Sequence, residues 1–263
     1  MTAIAEPLPS FSGRDDRGFF VRGAIIMAVT VAAGFTFNLA AGRSSFGAPL
    51  LIHAHAITFM GWVTIYLTQN ILVAKGNFAL HRRLGWLAAC WVGLMLVLGC
   101  AVTIFDIRAA RVPFFFRPAQ FLVFDPLTLF AFAGLTYAAI AMRRRTDWHR
   151  RLHFCAMSMM MGPAFGRLLP SPLLAPWAWE AAFAACLIFP LAGIVLDIRR
   201  GGKAHPAWLL GLAVTFGVLI GTEAITYSPA ATALYNAVAA GSTGAAVAPL
   251  AFGHPPGAKP APR

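Results

Sequence analysis

The chain has 263 residues, 59% of them hydrophobic and only 11% charged, where soluble domains average about a quarter charged. A formal net charge of +12 would suggest a nucleic-acid partner in a soluble protein. Here the apolar residues fall into blocks long enough to cross a hydrocarbon layer, so the chain belongs to the lipid bilayer. Its arginines are then explained by topology, and no nucleic-acid partner is expected.

Residues 1–22 form a polar amino-terminal segment containing Glu6, Arg14, Asp15, Asp16 and Arg17, with no evident cleavable signal. Seven spans follow, at 23–41, 49–74, 84–105, 121–142, 152–169, 177–198 and 207–227. Backbone groups in lipid must be bonded within their own segment, which favours helices. The expected fold is therefore an all-α membrane protein, a seven-transmembrane-helix bundle occupying 23–227. The fifth span is the shortest, and Pro190 should kink the sixth. The loop 106–120 contains Pro113-Phe114-Phe115-Phe116-Arg117-Pro118 and reads as a segment lying against headgroups. Residues 228–263, rich in Ala, Gly, Ser and Pro, read as a flexible tail. Gly241, Gly244 and Pro249 argue against an eighth span there. Cys90, Cys100, Cys155 and Cys186 all lie inside spans without Cys-x-x-Cys spacing, as small packing residues do.

With seven spans, one face carries Arg14, Arg17, Arg22, Lys75, Arg82, Arg83, Arg143, Arg144, Arg145, Arg150, Arg151, Arg199, Arg200 and Lys203. The other carries Arg43, Arg108, Arg111, Arg117, Arg167, Lys259 and Arg263. The richer face is cytoplasmic by the positive-inside rule. The chain would thus sit in a bacterial inner membrane with its amino-terminus inside and its carboxy-terminus outside.

A four-residue word occurs twice, as His81-Arg82-Arg83-Leu84 and His149-Arg150-Arg151-Leu152. Each copy opens an apolar run after a basic turn, so spans two and three repeat as spans four and five. Such an internal repeat of helix pairs, related by an axis along the membrane normal, would set His81 and His149 at one height. In the fifth span His149 and His153 are one turn apart, and Met157, Met160 and Arg167 continue their face. The second span carries His55, Trp62 and Gln69 at intervals of seven, with Thr58 and Tyr66 on the same face. His53 points roughly the other way.

Two chemistries suit the cytoplasmic histidines. His81 and His149, or His153, would be axial ligands of a haem b iron, with Arg82 and Arg150 meeting its propionates. A haem there would exchange electrons with a redox partner, quinone being one. Alternatively the ionisable residues form a proton or ion pathway; zinc is a weaker third possibility. At the outer level His55, Asp125, Arg167 and Glu223 define a second polar cluster, suited to a non-redox transporter. Arg167 with Asp125 would equally serve as a plain charge pair. A subunit of a larger membrane complex fits the same composition. A retinal protein does not, because no lysine lies in the seventh span.

At these residues the chain resembles a bacterial multi-pass membrane family, a domain of unknown function whose activity is not established. The resemblance rests on His55, on His81-Arg82-Arg83-Leu84-Gly85, on His149, and on Phe165-Gly166-Arg167-Leu168-Leu169-Pro170, over roughly residues 50–170. Family members usually carry a methionine soon after the second basic word, where this chain has His153. The resemblance implies a shared architecture and shared site positions. A looser similarity links the chain to helical-bundle b-type cytochromes.

Overall fold

A computed structural model describes residues 14–253, and every regular element among them is helical. In chain order these are α1 (Arg14–Ala40), α2 (Leu50–Ala74), α3 (Phe78–Arg108), α4 (Pro118–Ala141), α5 (Thr146–Met159), α6 (Gly162–Leu168), α7 (Ser171–Leu174), α8 (Ala178–Cys186), α9 (Ile188–Gly201), α10 (Pro206–Thr226) and α11 (Pro229–Ala239). Local chemistry sets several of the starts. The Asn77 side chain accepts the Leu80 amide at 3.2 Å and opens α3. Pro118, Pro206 and Pro229 each stand in a first turn, where no helical N–H is owed.

Six stretches among the described residues are long and apolar enough to cross a membrane: Asp16–Ala40, Leu50–Ala74, Phe78–Arg108, Pro118–Ala141, Ala178–Gly201 and Pro206–Thr226. The predicted fifth span is not one of them. It is broken at Met160 and Met161 into α5, of 14 residues, and α6, of 7. Pro163 explains the break, because it has no N–H for the carbonyl of Met159 four residues earlier. The turn closes instead through tighter bonds, Met160 N to the Met157 carbonyl and Met161 N to that of Ser158, both 3.1 Å.

The sixth span is interrupted at Leu187, between α8 and α9. Pro190 withholds the N–H that the Cys186 carbonyl would otherwise accept. The Ser158 hydroxyl, from the end of α5, donates to that carbonyl at 2.5 Å. The two broken helices are therefore joined by one bond between them. Ser158→Ala should lower stability by about 1 kcal/mol, the usual size of an interhelical bond in a membrane bundle. In a Pro190→Ala background residue 190 supplies its own N–H, so the same change should cost almost nothing. A double-mutant cycle by thermal unfolding in detergent measures that coupling, and additive effects would exclude it.

The helices pack as antiparallel neighbours, α2 on α3 and α4 on α5, with α3 and α10 also on α4, and α1 on α2 and α6. Met27, Met95, Phe132, Leu152, Phe154, Met157 and Trp208 are buried in their shared core. One end of the bundle, termed the basic end, holds the start of α1, the α2–α3 and α4–α5 turns, and the α9–α10 turn. At the opposite, far end the segment after Tyr227 folds rather than trailing away. α11, too short to cross, packs on α3 and α4. Tyr235 donates to the Gly244 and Val247 carbonyls at 2.9 and 3.2 Å, and Arg108 to the Val238 carbonyl at 2.8 Å. The remainder of the predicted tail, 254–263, lies outside the described residues, as does most of the polar amino-terminal segment.

Candidate functional site at the basic end

His81 and His149 each occupy the fourth position of a helix, counted from Phe78 and Thr146. The starts of α3 and α5 thus bring two imidazoles close together. Their ring centroids are 6.2 Å apart and the rings nearly perpendicular, at 87°. His153, one turn further along α5, lies 4.7 Å from His149 at 86°. The predicted trio is thus assembled in one place.

Hydrogen bonding distinguishes its members. His149 Nδ1 lies 2.8 Å from the Ala139 carbonyl of α4. A carbonyl can only accept, so Nδ1 carries the proton and the lone pair resides on Nε2. A metal-ligating histidine is usually oriented by such a bond. His81 Nδ1 is buried with no partner. Gln69 of α2 lies beside this turn, its Nε2 3.5 Å from the point where a Cβ on Gly85 would sit, and its Oε1 is likewise buried and unpartnered.

The arginines of the two words have opposite fates. Arg82 and Arg83 are exposed on α3. Arg150 and Arg151 enter a buried network that the sequence reading missed. Arg150 pairs with Asp16 of α1 at 2.5 Å, and Arg200 of α9 reaches the same carboxylate at 2.7 Å. Arg151, 1% exposed, makes a forked pair with Asp197 at 2.6 and 2.9 Å. Asp197 also accepts Trp208 Nε1 at 2.8 Å and the His205 amide at 3.3 Å. His205 caps α10 by accepting the Ala207 amide on Nδ1, so its Nε2 donates to Asp147 at 2.9 Å. Burial holds this imidazole below its usual pKa, against the pull of the Asp147 carboxylate. The signal available in sequence was Asp197, an acid two residues before Arg199-Arg200 at the end of a span.

The α2 stripe faces the core. Thr58, Trp62 and Tyr66 are buried, and Trp62 Nε1 and His55 Nδ1 have no partner. In the α5 stripe Met157 is buried and Met160 partly so, but the break before α6 ends the helical register leading to Arg167.

At the far end the expected cluster is divided. Asp125 accepts from Thr103 at 2.5 Å, and Glu223 accepts Gln120 Nε2 at 2.7 Å. His55 stacks on Phe59 of its own helix, ring centroids 4.1 Å apart, while Arg167 donates to the Pro163 carbonyl at 2.8 Å and lies over the Phe35 ring. No ion pair joins Arg167 to Asp125 among the described residues. No group of three or more His, Cys, Asp or Glu is arranged to hold a metal ion among those residues either. Compared with known protein families, with curated proteins and with solved structures, the chain matches none.

Proposed function

We propose that this multi-pass protein is an electron carrier of the bacterial inner membrane that holds a b-type haem between His81 and His149. The observation that carries the reading is the facing pair of imidazoles, 6.2 Å between centroids. Both rings would be able to offer a nitrogen lone pair to one haem iron held between them. The donor chemistry fits as well. His149 offers Nε2 with its tautomer set by Ala139, and His81 brings a buried nitrogen lacking a partner. For the propionates Arg82 stands open at the same turn, whereas Arg150 is engaged by Asp16. When bound, the haem supplies one-electron exchange with a partner such as quinone. The protein's own part is to orient both rings and to exclude water from them. In this reading α5 and α6 together make the seventh crossing, and the basic end is cytoplasmic.

Detergent-purified protein should show a Soret band that is lost in His81→Ala and in His149→Ala and persists in His153→Ala. A colourless, iron-free preparation would sink the reading. One further observation favours a second function. The buried, unpartnered atoms of His55, Trp62 and Gln69 form a polar row along α2 that leads to His81 of α3, as a proton pathway needs. Proton flux in proteoliposomes that falls in Gln69→Leu, without any haem spectrum, would select it.

A further inference from the structure

The segment after Tyr227 borders a cavity of about 360 Å³ at the far end of the bundle. That size is toward the lower end of the roughly 300–1,000 Å³ that hold small ligands. Its walls come from the end of α3 (Ile107), the loop to α4 (Val112, Phe116), α11 (Tyr235) and the chain that folds back after α11 (Val247, Phe252). Every lining side chain is apolar or aromatic, and the hydroxyl of Tyr235 is committed to the Gly244 and Val247 carbonyls. The walls are fastened to one another. Thr243 donates to the Arg108 carbonyl at 2.8 Å, and the Ala119 N–H to the Pro249 carbonyl at 2.8 Å.

Phe252 connects this cavity to a cation. The Arg117 guanidinium lies 4.2 Å from the centroid of the Phe252 ring and 5.6 Å from that of Tyr227. Among the described residues no carboxylate is within ion-pair distance of it. A guanidinium resting on a ring uses its face, while its N–H groups lie in its plane and are left for oxygen acceptors. Phe116 and Pro118, on either side of Arg117, also line the cavity. An apolar hollow and a positive charge with no acid partner therefore adjoin. Both lie where α3 ends its crossing and α4 begins its own, the level at which the head of an amphiphile in the bilayer resides.

We infer that this cavity binds the hydrocarbon chain of a fatty acid whose carboxylate is held by Arg117. The volume suits a single chain of moderate length, where a phospholipid brings two. A planar carboxylate matches the paired N–H groups of a guanidinium. The site is separate from the histidine trio at the basic end and does not depend on haem.

The full-length protein in nanodiscs of neutral phosphatidylcholine would be titrated with radiolabelled laurate, with empty nanodiscs as the blank. Saturable binding of one laurate per protein is expected. Val247→Trp, which enlarges a wall residue, should abolish it. Arg117→Gln should raise the dissociation constant about tenfold, and Arg43→Gln, an exposed control, should leave it unchanged. Dodecanol, with the same chain and no charge, should compete about tenfold more weakly than laurate for the wild type and equally well for Arg117→Gln. If Val247→Trp fails to fold, Ala248→Leu narrows the same cavity from an exposed position and should weaken binding. The inference is overturned by absence of saturable binding, by wild-type affinity in the wall variants, or by dodecanol competing as well as laurate for the wild type. Displacement of laurate by phosphatidylglycerol at equal concentration would mark a phospholipid site and overturn it too.

Discussion

Asp197→Ala should lower the stability of the detergent-solubilised protein by about 3 kcal/mol, among the largest effects of any single substitution at the basic end. Removing this carboxylate strips Arg151 of its forked partner, and Trp208 Nε1 and the His205 amide of their acceptor, at one stroke. The cost stays near the lower limit for a broken buried pair because Arg151 retains the Asp147 carbonyl at 3.1 Å and Asp16 at 3.9 Å. Breaking a buried pair is expensive because it leaves a charge behind, whereas removing both charges need not be. Asp197→Leu combined with Arg151→Met should therefore recover most of the loss. Thermal unfolding of the two single variants and the double variant decides the matter; a double variant as unstable as the sum of its parts would refute it.

Gly34→Leu should cost about 3 kcal/mol or prevent accumulation of folded protein. The Ala164 carbonyl oxygen, Cα and carbonyl carbon stand 2.8, 3.2 and 3.4 Å from where a Cβ would lie. All are backbone atoms, so no side chain can turn aside, and α6 must move off α1. Such close approach is a common use of small residues in membrane bundles. Gly93→Leu is the matched control, since no atom lies within 4 Å of that Cβ position. Equal unfolding midpoints for the Gly34 and Gly93 variants would contradict the packing argument.

The all-helical, multi-pass character was legible in the apolar blocks alone. Where the reading fell short, the cause was in part local signals passed over and in part interactions distant in sequence. Residues 152–169 met the compositional requirement for a span, yet Gly162-Pro163 was a visible reason for α5 to stop. The folded segment after Tyr227 was signalled by Ser228-Pro229, a capping residue followed by a first-turn proline. The positions of His81 and His149 followed from the repeated word. What the word concealed was that its second copy meets Asp16 and Asp197 while its first meets neither. Identical local sequence then yields exposed arginines in α3 and, in α5, a half-buried Arg150 and a buried Arg151. The far cluster was drawn from residues of suitable type and depth. Gln120 and Thr103, uncharged and not weighed as partners, turned out to take up its two acids.

The carboxylate of Asp16 joins α1 to arginines 134 and 184 residues further along the chain. A polypeptide entering the bilayer from its amino-terminus therefore carries this acid, unmatched, through the insertion of four helices. Arg150 and Arg151 give it partners when α5 is made, and Arg200 the last only at the close of α9. The basic end thus reaches its full bonding only once α9 is made: a chain terminated before α9 would retain an acid lacking its Arg200 partner, beside an Arg151 with no Asp197.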